Sequence, residues 1–248
     1  MTKKYVMLAD ATRCINCKAC VIACRAEWGT PLGHSRDWVR EVEMEGPGGM
    51  PDLMLLPGRC QHCDDAPCVE SCPSGAAYQR EDGVVLVDHE LCSGCELCVP
   101  ACPYDARFLN PETGTVSKCT FCQPRIDAGQ PPACVGTCVG RALVFGDAND
   151  PASEVSRLLQ EKEWLRLTSD GVNVGPNHYY HTGGRPLPPE ALPKPTTPHV
   201  QGRLLEEVVN PLAGAGLLGM AGVFVAAGMK KLLDRRSEVQ RQEGGHHD

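Results

Sequence analysis

The apolar positions of this chain come in short runs, not in long periodic stretches. Tyr5 to Ala9 (YVMLA) predicts a strand, and Cys20 to Trp28 a helix soon after it. Leu53 to Leu56 predicts another short strand. Asp82-Gly83 is a turn signal between the runs Ala77 to Arg80 and Val84 to Val87, so a hairpin is expected there. Ala142 to Phe145 gives a further strand. Asp150 and Pro151 then offer a capping side chain and an N1 proline for a helix whose Val155, Leu158 and Leu159 share one face. Six prolines between Gly183 and Gly202 predict an extended arm.

The pattern changes near the end. Pro211 to Met229 is a run of nineteen residues without a charge, about 28 Å long as a helix and close to the thickness of a bilayer core. Its five glycines suit a soluble helix badly and a packed membrane helix well, with Ala215/Gly219 and Gly222/Ala226 as a packing face. The expected organisation is a cluster-bearing domain over 1–182, an extended arm over 183–207, a transmembrane helix over 208–233 and a charged tail over 234–248. In the tail, His246 and His247 read as solvated. Lys230, Lys231, Arg235, Arg236 and Arg241 follow the helix, whereas Arg203, Glu206 and Glu207 precede it, so the tail is expected in the cytoplasm and the main domain on the periplasmic side. Met1 to Asp10 is too short and polar for a secretory signal, so export would depend on a partner that carries one.

Composition narrows the picture. With only 3 Trp, 5 Tyr and 4 Phe beside 26 Gly and 21 Pro in 248 residues, a large conventional hydrophobic core is not expected. The net charge of -7 excludes a broad basic surface for nucleic acid, so no nucleic-acid partner is expected.

The 16 cysteines carry the chemistry. They fall into four groups: Cys14, Cys17, Cys20, Cys24; Cys60, Cys63, Cys68, Cys72; Cys92, Cys95, Cys98, Cys102; and Cys119, Cys122, Cys134, Cys138. The first and third read C-x2-C-x2-C-x3-C, the bacterial ferredoxin run, in which three thiolates hold one cubane and the fourth reaches another. Four 4Fe-4S clusters fit that count, with small residues such as Ala19 and Gly94 letting backbone N–H groups approach the cluster sulfurs. A disulfide framework would not produce these triplets twice, and three cysteines within seven residues overcrowd a tetrahedral zinc. The second and fourth groups are less regular, and a cluster with fewer irons at one of them is the remaining alternative. The groups must interlock, which gives an α+β fold of two interlocked ferredoxin-like halves, with the inner unit 60–102 inserted in the outer one. Such a protein draws its stability from the bound metal.

No catalytic set accompanies the cysteines: there is no G-x-S-x-G, H-E-x-x-H, Walker loop or G-x-G-x-x-G after a strand. His62, inside the second group, is expected to tune or pack beside a cluster. Lys18 and Lys118, each next to a ligand, either raise cluster potentials or are solvated. A chain of clusters without substrate chemistry is an electron wire, not an enzyme on its own.

The segments RCINCKACVIACR, RCQHCDDAPCVESCP, LCSGCELCVPACPYDARFL and KCTFCQPRIDAGQPPACVGTC together resemble the four-cluster beta subunit of the membrane-bound molybdopterin oxidoreductases of the dimethyl sulfoxide reductase superfamily. The resemblance covers Met1 to Phe145. The core is similar to polysulfide, thiosulfate and tetrathionate reductase subunits, the C-terminal arm and helix to the formate dehydrogenase beta subunit and its relatives among hydrogenase electron-transfer subunits. It implies a molybdopterin catalytic subunit and an integral membrane quinone-reactive subunit as partners, with the lipid bilayer around the helix. It also implies four ligand sets: Cys14, Cys17, Cys20 and Cys138 nearest the catalytic subunit; then Cys24, Cys119, Cys122 and Cys134; then Cys60, Cys63, Cys68 and Cys102; and Cys72, Cys92, Cys95 and Cys98 nearest the membrane. Some relatives lose a third-group cysteine and hold a 3Fe cluster, but Cys95 is present here. A nickel-iron hydrogenase subunit and a free-standing polyferredoxin are the alternative readings.

Overall fold

The computed structural model of the protein describes residues 2–196, all within one compact unit, Met1–Val200. The helix expected over Pro211–Met229, the charged tail and the end of the arm lie outside the described residues. Among the described residues no helix is long and apolar enough to cross a membrane.

Strand β1 (Tyr5–Asp10) is buried along nearly its whole length because it is paired on both edges. Its apolar run is continuous, not alternating, as a strand covered on both faces requires. Helix α1 (Ala19–Trp28) follows and stops at Gly29, whose left-handed backbone lets its N–H close on Arg25 O. Strands β2 (Asp37–Glu45) and β3 (Pro51–Arg59) form a long hairpin in register from Asp37 opposite Arg59 to Glu45 opposite Pro51. Next come a single turn of helix, α2 (Pro67–Glu70), and the hairpin of β4 (Ala77–Gln79) and β5 (Val85–Val87). A second small hairpin, β6 (Phe108–Leu109) and β7 (Val116–Ser117), leads to the short helices α3 (Gln123–Asp127) and α4 (Ala133–Gly136). Strand β8 (Leu143–Asp147), helix α5 (Glu154–Glu161), and strands β9 (Leu165–Arg166) and β10 (His178–His181) complete the order.

The sheet β8-β1-β10-β9 positions the cysteines. β1 leads directly into the first group and β8 leaves the fourth, and the two pair antiparallel from Tyr5 opposite Asp147 to Ala9 opposite Leu143. That pairing, with α1 packed on α4, brings the two ends of the cysteine-bearing segment together. The β4–β5 hairpin spans the second and third groups at the expected Asp82-Gly83 turn.

Helix α5 begins later than its sequence suggests. Ser153, not Asp150, is the N-cap: its Oγ accepts from Ser156 N at 3.0 Å, while Asp150 Oδ1 accepts from Ala152 N at 2.9 Å in the turn ahead. Val155 is fully buried in the α5 face that packs on the sheet, with Leu158 and Leu159 beside it. Residues 183–196 contain no strand or α-helix and are fastened to their own domain: Lys194 N donates to Pro103 O at 3.0 Å, Arg185 pairs with Asp52 at 2.7 Å, and Ala191 is buried.

Candidate iron-sulfur centres

One local turn recurs at all four cysteine groups. Two residues after the first cysteine the backbone is left-handed: at Asn16 (φ 55°), His62 (φ 44°), Gly94 (φ 65°) and Phe121 (φ 52°). Lys18 and Glu96 repeat it two residues further on in the first and third groups. A non-glycine residue in this region costs about 1–2 kcal/mol. At the fourth group the gain is that the turned residue donates to its ligand, Phe121 N to Cys119 Sγ at 3.4 Å. Backbone N–H groups outside the turns reach four other ligands: Cys72 accepts from Ala77 (3.3 Å), Cys92 from Val116 (3.5 Å), Cys102 from Ala106 (3.5 Å) and Cys138 from Ala142 (3.2 Å). Trp28 Nε1 donates to Cys122 Sγ at 3.5 Å. Sulfur is a weak acceptor as a thiol and a good one as an iron-bound thiolate.

The fold brings thiols together across the groups. One cavity is walled by Cys14, Cys17, Cys20 and Cys138. Cys24 lies within electrostatic reach of Cys119 and Cys122, and Cys134 of the same two. Cys63 is near Cys60, Cys68 and Cys102, and Cys98 is near Cys72 and Cys95. Cys119 also feels Cys60, and Cys68 feels Cys98. All sixteen cysteines are free. Among the described residues no three His, Cys, Asp or Glu side chains close on a point that could hold a single metal ion. Thiolates around a cubane stand farther apart than those around one ion.

Exposure divides the cysteines in a consistent way. Cys24, Cys119, Cys122, Cys134, Cys60, Cys63, Cys68 and Cys102 are all buried. Of the other eight, Cys20 and Cys98 are buried as well, Cys17 and Cys95 are exposed, and Cys14, Cys138, Cys72 and Cys92 are half-buried. Apolar side chains flank both exposed cysteines, Ile15 beside Cys17 and Leu97 beside Cys95.

Burial pushes up the thiols of Cys24, Cys63, Cys68 and Cys134, and those of Cys102 and Cys119 to about 12, so a thiolate there needs a positive counterpart. The protein supplies part of it. Arg59, Lys118 and Arg107 are only 0%, 2% and 5% exposed. Arg59 Nε donates to Asp37 Oδ1 at 3.0 Å, the residue opposite it in the β2–β3 register, yet its Nη1 and Nη2 have no hydrogen-bond partner. None of the three Arg107 guanidinium nitrogens has a partner either. Burial works against the charge of Arg107, but the thiols of Cys68, Cys60, Cys98 and Cys102 outweigh it and hold the guanidinium protonated. Orphaned buried guanidiniums among thiols are what an anionic iron-sulfur core would satisfy. The residues present therefore fit the clusters.

His62 is fully buried, accepts Val85 N at Nδ1 (3.0 Å) and stacks on Phe121 at 3.7 Å between ring centroids, so it packs inside the cysteine core. Lys18 is exposed and paired with Glu41 at 2.9 Å. Lys118 is not solvated: its Nζ donates to Val85 O and to Cys119 O, the latter at 2.7 Å. Arg59, Arg107, Trp28 and Arg36, which stacks on Trp28 at 4.3 Å, escape a reading of the sequence alone. The only hint of them there is that Arg59, like Lys118, directly precedes a ligand.

Buried thiols, inward-turned amides and buried cations define an iron-sulfur electron-transfer protein. Two family models, each described as a 4Fe-4S dicluster domain, match residues 51–148 and 13–76. A tetrathionate reductase subunit of Salmonella typhimurium is 45% identical over 179 residues, covering 71% of this chain and 72% of the relative. The thiosulfate reductase electron transfer subunit of Salmonella typhi is 44% identical, covering 67% and 86%, and a polysulfide reductase chain of Wolinella succinogenes is 43% identical, covering 67% and 88%. The chain therefore belongs to this family of iron-sulfur electron-transfer subunits of reductase complexes. Two dicluster modules and 16 cysteines account for four 4Fe-4S clusters, and such a subunit conducts electrons for a catalytic partner.

Proposed function

We propose that this chain is the wire of a membrane-anchored respiratory complex, passing single electrons between a molybdopterin catalytic subunit and a quinone-reactive membrane subunit. The observation that carries the reading is the division of exposure: the eight thiols of two whole sets are buried, whereas the other two sets hold every exposed or half-buried cysteine and reach the surface at Cys17 and Cys95. Electrons need access at two places and insulation between them. We assign the clusters, from one end to the other, to set one (Cys14, Cys17, Cys20, Cys138), set two (Cys24, Cys119, Cys122, Cys134), set three (Cys60, Cys63, Cys68, Cys102) and set four (Cys72, Cys92, Cys95, Cys98). Charge coupling between Cys119 and Cys60 and between Cys68 and Cys98 supports that order. The bound clusters supply one-electron storage. The chain's own residues hold them, turn N–H groups onto their ligands and exclude water from the middle.

The anchor in this proposal is the uncharged run Pro211–Met229, with the cluster domain periplasmic and the tail cytoplasmic. Three relatives are named for inorganic sulfur compounds, so that substrate class is the first to test at the catalytic partner. The deciding experiment is elemental analysis of the complex purified from membranes through this subunit. About sixteen irons per chain with molybdenum or tungsten near one atom is the expected result. Nickel in their place would assign the subunit to a hydrogenase, and iron alone would make it a free-standing polyferredoxin.

A further inference from the structure

Anionic clusters in a row repel the electrons they must share. One added electron brings a negative charge into a site, and that charge opposes reduction of the next site most strongly where water is excluded. Sets two and three are the enclosed ones. The structure places a buried cation against the thiols of two neighbouring sets at each of their shared boundaries. Lys118 holds the Cys119 carbonyl of set two at 2.7 Å and lies within electrostatic reach of Cys60 and Cys68 of set three; burial pushes its ammonium down, and these thiols with Cys119 pull it up. Arg107 faces Cys60, Cys68 and Cys102 of set three together with Cys98 of set four. Cys98 feels it in return: burial pushes that thiol up and Arg107 pulls it down.

These two cations differ from the others nearby. Arg59 also lies between sets, near Cys20 of set one and Cys134 and Cys119 of set two, but Asp37 neutralises it at 3.0 Å. Arg36 is near Cys24, Cys119 and Cys122, which all belong to set two. The largest attractive charges on Arg107 and Lys118 are thiols alone. A role confined to fixing the backbone suits Lys118, which holds two carbonyls, but not Arg107, which holds none.

We propose that Arg107 and Lys118 are junction cations, each raising the reduction potentials of the two clusters it separates and so keeping the enclosed half of the wire open to electrons. The inference rests on the four-cluster reading and its ligand sets, and it assigns these side chains a positioning of charge, not a reaction step.

The test is a redox titration of the purified complex followed by electron paramagnetic resonance. Each signal is assigned beforehand by a Cys→Ser exchange in its own set. Arg107→Gln should lower the potentials of sets three and four together, by on the order of tenfold in the reduced-to-oxidised ratio, or 59 mV for a one-electron couple, and leave sets one and two in place. Lys118→Met should do the same to sets two and three. Arg107→Lys, which keeps the charge, should restore the unmodified potentials. A shift at one flanking cluster only, an equal shift at all four, no shift, or a shift in Arg107→Lys as large as in Arg107→Gln would overturn the proposal. If the Arg107→Gln protein fails to take up its iron, Lys118→Met decides by the same criterion. Failure of the four-cluster reading would look different, since the unmodified protein would then show fewer than four signals.

Discussion

Gly140 offers a direct way to disturb one ligand set and spare the others. It follows Cys138 by two residues and lies against the backbone of Arg13, the residue before Cys14. A Cβ built on Gly140 would stand 2.4 Å from the Arg13 carbonyl oxygen, where ordinary contact begins at 3.4 Å. That oxygen is main chain and cannot swing aside as a flexible side chain would. In Gly140→Ala the two loops must therefore part by about 1 Å, and overpacking of this kind costs about 1–3 kcal/mol. The loops carry Cys14 and Cys138, two walls of one cavity, so the cost falls on the grip of set one. The assay is iron release from the purified complex under an iron chelator, followed by visible absorbance and by the signal of each cluster. We expect set one to lose iron on the order of thirtyfold faster, from the middle of that energy range, with the other three sets retained. Gly136→Ala is the control, because its Cβ meets nothing within 4 Å. Unchanged iron release from Gly140→Ala, or simultaneous loss of all four clusters, would refute the reasoning.

Two further perturbations test other parts of the structure. Trp28→Phe keeps a ring under Arg36 and removes the N–H that reaches Cys122 Sγ at 3.5 Å. It should lower the set-two potential alone by the equivalent of about 1 kcal/mol in a redox titration, and an unchanged set-two potential would count against a hydrogen-bonded thiolate there. Asp10 is a pH probe. Burial pushes its carboxyl up, but the hydrogen bonds from Lys162 Nζ (2.8 Å) and Thr12 outweigh burial and hold it below the usual carboxylate value. Its ionised form thus favours the folded state fully above that usual value, and the contribution is lost as pH falls through the lowered one. Asp10→Asn should flatten the acid limb of the stability curve in that window, and an acid limb identical to that of the unmodified protein would refute the assignment.

The cysteine spacings made the number of centres legible from the chain alone, and the Asp82-Gly83 signal located one hairpin correctly. The β2–β3 hairpin was only half legible. Leu53 to Leu56 marks its second strand, whereas β2 reads DWVREVEME, too charged to stand out even though Val42 and Met44 alternate with Glu41, Glu43 and Glu45. The three glutamates lie on the exposed face of the strand, and the charge at its buried end is neutralised by the Asp37–Arg59 pair. Helix α5 is recognisable by its apolar face, but the sequence points to Asp150 as its cap, and only the fold shows that Ser153 both accepts Ser156 N and donates to Asp147 O at 2.6 Å. The buried cations were hidden for a deeper reason. Arginine and lysine are ordinarily read as surface residues. Here the counter-charges are Asp37 for Arg59 and cysteine thiols for Arg107 and Lys118, partners that are distant in sequence and meet only in the fold. The recurrent left-handed turn was hidden likewise, because Gly94 and Asn16 suit such a backbone but the equivalent Phe121 does not, so the four positions share no residue type.

The pairing of β1 with β8 imposes an order on biogenesis. Under the proposed ligand sets, every cysteine of the inner unit lies between Cys60 and Cys102, so its two clusters could be inserted while the rest of the protein is still on the ribosome. The outer sites cannot be closed until Cys119 to Cys138 and the strand behind them have been made. Until then Cys14, Cys17, Cys20 and Cys24 wait without their partners, open to oxidation and to the wrong metal.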